Sequence, residues 1–540
     1  MPRNDPMSER RLLPDQRDWD AMRAGFRWPV PERFNIARAC CDDWAERDPG
    51  RVAVIDASDG DREWSYGALR DASDRLASVM AASGVGPGDR VAVLLAQSPA
   101  VLVAHFAAMK LGAIVLPLFT LFGPDALEYR LADSGARLAV TDAEGAAKLA
   151  ALRDRLPDLA HVLSVDGGPA RDLWAEIAAA PPIPAARDTL AEDPAVLIYT
   201  SGTTGPPKGA LHAHRFLIGH LPSIELHHRG FPQPGDCGWT PADWAWIGGL
   251  MDMAMPCLYY GVPLVACRMR KFDAAEAWAL IDRLKVRNLF LPPTALKLMR
   301  QAPVPPGVRL RSVGSGGESL GPDLLAWGRQ ALGLEICEFY GQTECNLVVT
   351  CVPELMTAPP GAMGRATPGF DVAIIGADGA PLPPGEVGEI AVRRGAASMF
   401  LGYWGLSDKT AAKFSGEWMR TGDLGICDAG GHFTYVSRDD DVITSAGYRI
   451  GPTEIETCLT GHPDVVMAAV VGEPDPVRTE IVVAHVVLRA GAEWEGLAEA
   501  LIQRVRDHVS PHVAPRRVVR AESLPMTATG KIMRRALRSV

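Results

Sequence analysis

No two of the ten cysteines in this 540-residue chain stand in a Cys-x-x-Cys spacing, and apart from the adjacent Cys40 and Cys41 they are scattered. That excludes a cysteine zinc site and a disulfide framework, and predicts reduced, mostly buried thiols in a cytoplasmic protein. An excess of positive charge is also missing: 55 Lys and Arg face 65 Asp and Glu, a net charge of −10. Nucleic acids and anionic membranes need a basic face, so neither is an expected partner. The N-terminal stretch MPRNDPMSERRLLPDQRDWD lacks the apolar centre of a secretory signal. Long apolar runs are absent too. The most apolar stretch, Val91 to Leu118, is interrupted by Gln97, His105 and Lys110 and divides at Ser98-Pro99 and Gly112. It reads as a β-α-β unit, and no membrane insertion is expected.

What is present points to an α/β fold. A chain of 540 residues exceeds one core and should form at least two domains. From Phe34 onward, short Val/Ile/Leu runs alternate with alanine-rich helical stretches, the pattern of parallel sheets covered by helices on both faces. After Pro359, Gly and Pro become dense. Strands at Asp371–Ile375, Gly388–Val392 and His432–Val436 predict a distorted antiparallel β subdomain. The last part restarts as α+β, with a helix start at Gly451-Pro452-Thr453-Glu454 and strands at Val465–Val471 and Ile481–Leu488. The expected division is an N-terminal extension (1–30) with little to bury, a large doubly wound domain (31–439) and a small mobile α+β domain (440–540).

The chemistry is concentrated in a few short blocks. Tyr199-Thr200-Ser201-Gly202-Thr203-Thr204-Gly205-Pro206-Pro207-Lys208-Gly209 follows the apolar run Ala195–Ile198. A glycine- and hydroxyl-rich loop after a strand leaves backbone N–H groups free to turn toward an anion, and its lysine adds a point charge. Further along come Gly316-Gly317-Glu318, Tyr340-Gly341-Gln342-Thr343-Glu344, Thr421-Gly422-Asp423, Arg438-Asp439-Asp440-Asp441, Gly447-Tyr448-Arg449-Ile450-Gly451 and Pro525-Met526-Thr527-Ala528-Thr529-Gly530-Lys531. This ordered set, from about Phe34 to Lys531, resembles the adenylate-forming superfamily of acyl-CoA synthetases, luciferases and peptide-synthetase adenylation domains.

The resemblance implies an ATP-dependent ligase that makes an acyl adenylate and then a thioester of coenzyme A. It implies that Thr200, Ser201, Gly202, Thr203, Thr204, Gly205 and Lys208 grip the phosphates. Glu344, with Thr203 or Thr204, would hold Mg²⁺. Gly316, Gly317 and Glu318 would pass along the adenine, Tyr340 would stack on it, and Gly341, Gln342 and Thr343 would complete that block. Asp423 would accept the ribose hydroxyls with Arg438 beside it. Lys531 would bridge the substrate carboxylate and the α-phosphate, as a catalytic cation with Lys208, Glu344 and Arg449. Asp440 would be the hinge on which the small domain turns between the two steps. Ser445, Ala446 and Gly447, in the segment ending at Arg449, would then line the thiol channel. The Pro525–Lys531 segment is also an expected target for a lysine acyltransferase and deacylase, because loss of the ammonium charge would switch the enzyme off.

The acceptor and the acid are read from finer texture. The chain stops soon after Lys531 without a carrier domain. Trp239-Thr240-Pro241-Ala242-Asp243-Trp244-Ala245-Trp246 resembles the Ala-Asp-x-Gly-Trp block of acetyl- and medium-chain acyl-CoA synthetases, with Ala245 replacing Gly. Coenzyme A is therefore the expected acceptor, over a carrier protein. Trp246 is expected to wall the acid pocket. Gly341 stands where acetate-specific relatives carry tryptophan, which suggests room for a medium-length, branched or cyclic acid, with aromatic acids second. Homo-oligomers remain open at this stage.

Overall fold

The computed structural model describes residues 7–14, 18–200, 206–318, 320–438, 441–445, 448–475, 478–527 and 531–538. Among them, three sheets organise the chain, two large ones and a smaller C-terminal one. The α/β expectation holds from the first β-α-β unit: strand Arg90–Leu94, helix Pro99–Lys110 and strand Ile114–Pro117. Proline opens the helix, where its missing N–H costs nothing, and every residue of the helix is buried. Of the polar interruptions, Gln97 donates to the Ala242 carbonyl at 2.9 Å and Lys110 forms ion pairs. Lys110 ends the helix fully buried, with its ammonium 2.7 Å from Asp42 and 2.5 Å from Asp74.

In the first large sheet, strand Pro194–Thr200 runs parallel to Ile114–Pro117 and antiparallel to Lys208–Ala213, with Thr200 opposite Lys208. The two strands that flank residues 201–205 therefore meet at one end of the sheet. The second large sheet has a parallel half that includes Asn288–Phe290, Ser312–Gly316 and Ile336–Gln342. Its other half is antiparallel: Cys345–Thr350, Ala362–Ala366, His432–Arg438, Trp418–Cys427, Val387–Arg393 and Val372–Ile375. The antiparallel region expected after Pro359 is thus hydrogen-bonded into the second sheet. The sequence pattern could not reveal that continuity, because it depends on Cys345–Thr350 turning back along Ile336–Gln342.

Residues 441–538 carry their own sheet, including Val465–Asp475, Thr479–Leu488 and Arg517–Ala521, packed against helices Pro452–Thr460 and Leu497–His508. At its junction with the larger part, Arg534 pairs with Asp441 at 3.1 Å and with Glu456 at 2.6 Å. Asp440, the expected hinge, lies outside the described residues.

The N-terminal segment departs from expectation. Leu13, Trp19, Met22 and Phe26 are buried and form a cluster with Leu226 and Val352. Glu225 fastens the segment by accepting the Leu12 and Leu13 N–H groups at 2.6 and 2.9 Å, while Tyr260 donates its hydroxyl at 2.6 Å. The spaced apolar residues were visible in the sequence, but their partners lie more than two hundred residues away.

Burial pushes the Glu225 carboxyl from its ordinary 4.5 up to about 7. A raised folded-state pKa means that the carboxyl's contribution is fullest below about pH 4.5 and is lost as pH rises through 7. The stability difference between the wild type and Glu225→Gln should therefore shift against the wild type across that window. Urea titrations at several pH values check this, and a constant difference would refute it.

Candidate active site

A cleft of about 1110 Å³ is lined by the ends of both large sheets and by the C-terminal part. At one end the backbone pairing of strands Trp418–Cys427 and His432–Arg438 sets Asp423 opposite Arg438. Arg438 stands 3.4 Å from the Asp423 carboxylate. Tyr340 donates its hydroxyl to Asp423 at 2.6 Å, and Gln342 donates its amide to the same oxygen at 2.6 Å. The Asp423 N–H is satisfied by Thr421 Oγ1 at 3.1 Å. One carboxylate, held from three sides and 4% exposed, is fixed at the cleft wall. Burial, with the neighbouring Asp423 charge, pushes the Tyr340 phenol far up, so it remains a hydrogen-bond donor.

At the phosphate end, Lys208 rests its ammonium 4.6 Å above the ring of Tyr403, whose hydroxyl donates to Glu344. The Glu344 carbonyl in turn accepts the Phe400 N–H at 2.8 Å. Desolvation pushes the Lys208 ammonium down. Lys413, Lys409 and Arg438 push the same way, and Glu344 opposes them. The like-charge effects of Lys413, Lys409 and Arg438 on Lys208 mark a region rich in cations, suited to a polyanion. Thr200 also lines the cleft, as does Thr343. Ser201, Gly202, Thr203, Thr204 and Gly205 lie outside the described residues, as do Ala446, Gly447 and the side chain of Arg449.

The third corner is where the C-terminal part enters. Gly317 has φ +98°, and a Cβ on it would stand 3.4 Å from the Trp246 ring and 3.7 Å from Lys531 Cε. The positive φ is what favours glycine there, and the distances place both side chains in ordinary contact range of it. Lys531 keeps contact with solvent, yet the surrounding walls lower its ammonium pKa. Asp423, Glu318 and Glu344 pull it back up, and Arg438 pushes it down. The lysine is anchored through Thr527, whose hydroxyl accepts the Lys531 N–H at 3.1 Å. Beside it an aromatic wall forms: the rings of Trp246 and Phe290, and of Phe290 and Phe339, are 5.6 Å apart. Gly316 lets Phe339 press in, since a Cβ at 316 would stand 2.5 Å from that ring.

The structure thus brings Thr200, Lys208, Trp246, Gly317, Glu318, Tyr340, Gly341, Gln342, Thr343, Glu344, Asp423, Arg438 and Lys531 to one cleft. It does not bring Ser445, which is buried in the C-terminal sheet and absent from the cleft wall. The expected depth beside Gly341 needs correction. A Cβ there would stand 2.5 Å from the Leu347 nitrogen and 2.6 Å from Asn346 Oδ1, so the room along that direction is already filled.

Three cleft residues escaped the sequence reading. Tyr403 reaches the cleft because Gly402–Tyr403 pairs with Lys208–Ala213, a contact with no local signal. Lys413 donates to the Thr421 carbonyl at 3.2 Å. Glu338 lines the cleft with its carboxyl pushed up to about 8 by burial, and it accepts the Leu320 N–H at 3.2 Å. The latter stands two residues before Tyr340, and its position in the block was the one available hint.

Comparison with known proteins agrees with this geometry. The AMP-binding enzyme family matches residues 41–404, and the AMP-binding enzyme C-terminal domain matches residues 454–531. The mitochondrial acyl-coenzyme A synthetase ACSM2 of Rattus norvegicus is 34% identical, over 94% of this chain and 92% of its own. Acetyl-coenzyme A synthetase of Bacillus subtilis is 32% identical, over 97% and 93%. The crystal structure of the anthranilate CoA ligase AuaEII with anthranoyl-AMP superposes with a TM-score of 0.87 at 26% identity, covering 94% of this chain and 97% of that one. The solved relatives of this kind have a large N-terminal and a small C-terminal domain. The chain belongs to the AMP-binding enzyme family and is a carboxylate–CoA ligase of the acyl-CoA synthetase kind.

Proposed function

We propose that the protein activates a medium-length, branched or cyclic carboxylic acid with ATP and transfers the acyl group to coenzyme A. The observation that carries this reading is the meeting of Lys531 with Trp246 and Gly317 at one corner of a cleft whose other walls hold Asp423, Lys208 and Glu344. Adenylation joins two anions, a carboxylate and the α-phosphate, so positioning and charge compensation dominate the chemistry.

Lys531 stands between the apolar wall and the acidic wall, where its ammonium can neutralise both reacting groups. Asp423 presents one carboxylate to a vicinal diol, oriented by Tyr340, Gln342 and Arg438. Lys208 and the residues 200–205 take the phosphate tail. Magnesium, when bound, neutralises phosphate charge. Among the described residues no cluster of three or more His, Cys, Asp or Glu forms a cage. Glu344 with Thr203 and the phosphate oxygens fits the usual way of holding this ion, by one or two carboxylates plus substrate. Thioester formation uses the same cleft after a turn at Asp440, bringing Ser445–Arg449 in as Lys531 leaves.

Aromatic acids are the second reading, favoured by the Trp246 and Phe339 rings that line the cleft. ATP–pyrophosphate exchange with a panel of acids tests both. Exchange stimulated most by aliphatic acids, followed by product formation that requires CoA, is the expected result. Strongest stimulation by benzoate-type acids would favour the second reading. Exchange without CoA-dependent product would shift the acceptor to a carrier protein.

A further inference from the structure

One cation of the cleft wall, Lys413, is held only by neutral oxygens among the described residues. Helix Ser407–Ala412 ends just before it, and the chain then folds back so that Phe414 pairs with Met419 and Ser415 with Trp418. The Lys413 carbonyl accepts the Arg420 N–H at 2.8 Å, which fixes the backbone from which the side chain reaches the cleft. Its ammonium donates to the Thr421 carbonyl at 3.2 Å and to Gln342 Oε1 at 3.5 Å. No carboxylate pairs with it among the described residues, and one of its N–H groups remains to be used.

Lys208, at the phosphate end of the cleft, is not ion-paired among the described residues either, and rests on the Tyr403 ring. The two ammonium groups repel each other, since the Lys413 charge is one of the influences that push Lys208 down. Both are half-buried on one cleft wall, and like charges so placed are costly until an anion joins them. We infer that Lys413 is a further nucleotide-binding residue of adenylation: its ammonium joins Lys208 in taking the phosphate tail of ATP, and its grip on Thr421 and Gln342 ties that tail to the carboxylate that holds the ribose. This inference rests on the carboxylate–CoA ligase reading of the cleft.

The tie to the ribose end is short. Gln342 donates its amide to Asp423 at 2.6 Å and to the same Thr421 carbonyl at 2.8 Å. Its Oε1 is thereby turned to Lys413, so that a donor faces the carboxylate and an acceptor faces the ammonium. The nucleotide, and not the acid, is the anion that meets this cation. The charges that bear most on Lys531 at the acid corner are Asp423, Glu318, Arg438 and Glu344, whereas Lys413 bears on Lys208.

The test compares the full-length wild type with Lys413→Met and Lys413→Arg. Calorimetry with ATP and with AMP separates the phosphate tail from the adenosine part, and ATP–pyrophosphate exchange gives the KM for pyrophosphate, ATP and acid. Lys413→Met should weaken ATP binding by about 10-fold or more, the scale of one charge-assisted hydrogen bond, and raise the KM for pyrophosphate alike. AMP affinity should fall much less, and the KM for the acid should stay near the wild-type value. Lys413→Arg keeps the charge and should recover most of the ATP affinity. Thermal melts show whether each variant folds; if Lys413→Met does not, Lys413→Gln, polar but uncharged, takes its place. Equal losses for ATP and AMP would mean that the lysine acts only through Gln342 on Asp423, and would overturn the phosphate assignment. A folded variant with wild-type ATP affinity overturns the inference altogether, as does a change confined to the KM for the acid or for CoA. A wild type that binds ATP but shows no exchange with any acid defeats the ligase reading, and the ATP and AMP affinities then still decide the place of Lys413.

Discussion

Lys531→Ala should slow acyl-adenylate formation by about 10²- to 10³-fold, the usual cost of removing one stabiliser aimed at transition-state charge. The effect should be confined to the first half-reaction. In the arrangement seen here, Lys531 reaches the corner between Trp246, Gly317 and the acidic wall, while Ser445 remains buried in the C-terminal sheet. A residue belonging to this arrangement alone has no task once thioester formation begins. Attack of CoA on a supplied acyl adenylate should therefore proceed at nearly the wild-type rate. Stopped-flow or quench measurements of the two halves separately give the answer. Equal losses in both would show that the lysine serves both arrangements, or that the variant is damaged elsewhere. Lys531→Arg is a useful companion: it keeps the charge but not the compact ammonium, and should recover only part of the adenylation rate. The same logic gives Lys531 acylation its expected consequence, since an amide in place of the ammonium resembles alanine electrostatically.

How much of this was legible in the sequence depends on the range of each interaction. Helix Pro99–Lys110 and its flanking strands could be read off because Ser98-Pro99 and Gly112 are local signals. Lys208, Asp423, Glu344 and Lys531 were legible as blocks, and the cleft gathers them as the block order implied. Tyr403 was not, although its hydroxyl holds Glu344 and its ring carries Lys208. It is brought there by a short strand joining an edge formed some two hundred residues earlier, and no window of sequence contains both partners. The N-terminal segment failed in the same way, with Trp19 and Met22 finding Leu226 and Val352 across the chain. Local chemistry is visible in one dimension, whereas enclosure is not.

Gly341→Trp should abolish activity toward all acids in similar proportion, and even Gly341→Ala should be costly. Comparison by position suggested that glycine at 341 deepens the acid pocket, which predicts selective loss of bulky acids when the position is filled. The geometry argues otherwise. The first carbon of any side chain would stand 2.5 Å from the Leu347 nitrogen and 2.8 Å from Asn346 Cα, both of them backbone atoms that cannot swing aside. Making room means pushing strand Cys345–Thr350 away from Ile336–Gln342, and those strands pair at Gln342 and Cys345, on either side of the turn that holds Glu344. Overpacking of this kind costs typically about 1–3 kcal/mol for the smaller substitution. Tyr340 and Gln342, which orient Asp423, sit on the strand from which Cys345–Thr350 would be parted, so the KM for ATP should rise together with the loss of turnover. The decisive measurement is kcat/KM for acetate, a medium-chain acid and a cyclic acid, with ATP saturation curves and a melting temperature for each variant. A loss confined to the larger acids, with an unchanged KM for ATP, would mean that the turn yields without disturbing the nucleotide end and that glycine at 341 does set pocket depth. A uniform loss would place the determinant of acid choice elsewhere on the wall, at Trp246 and at Phe339.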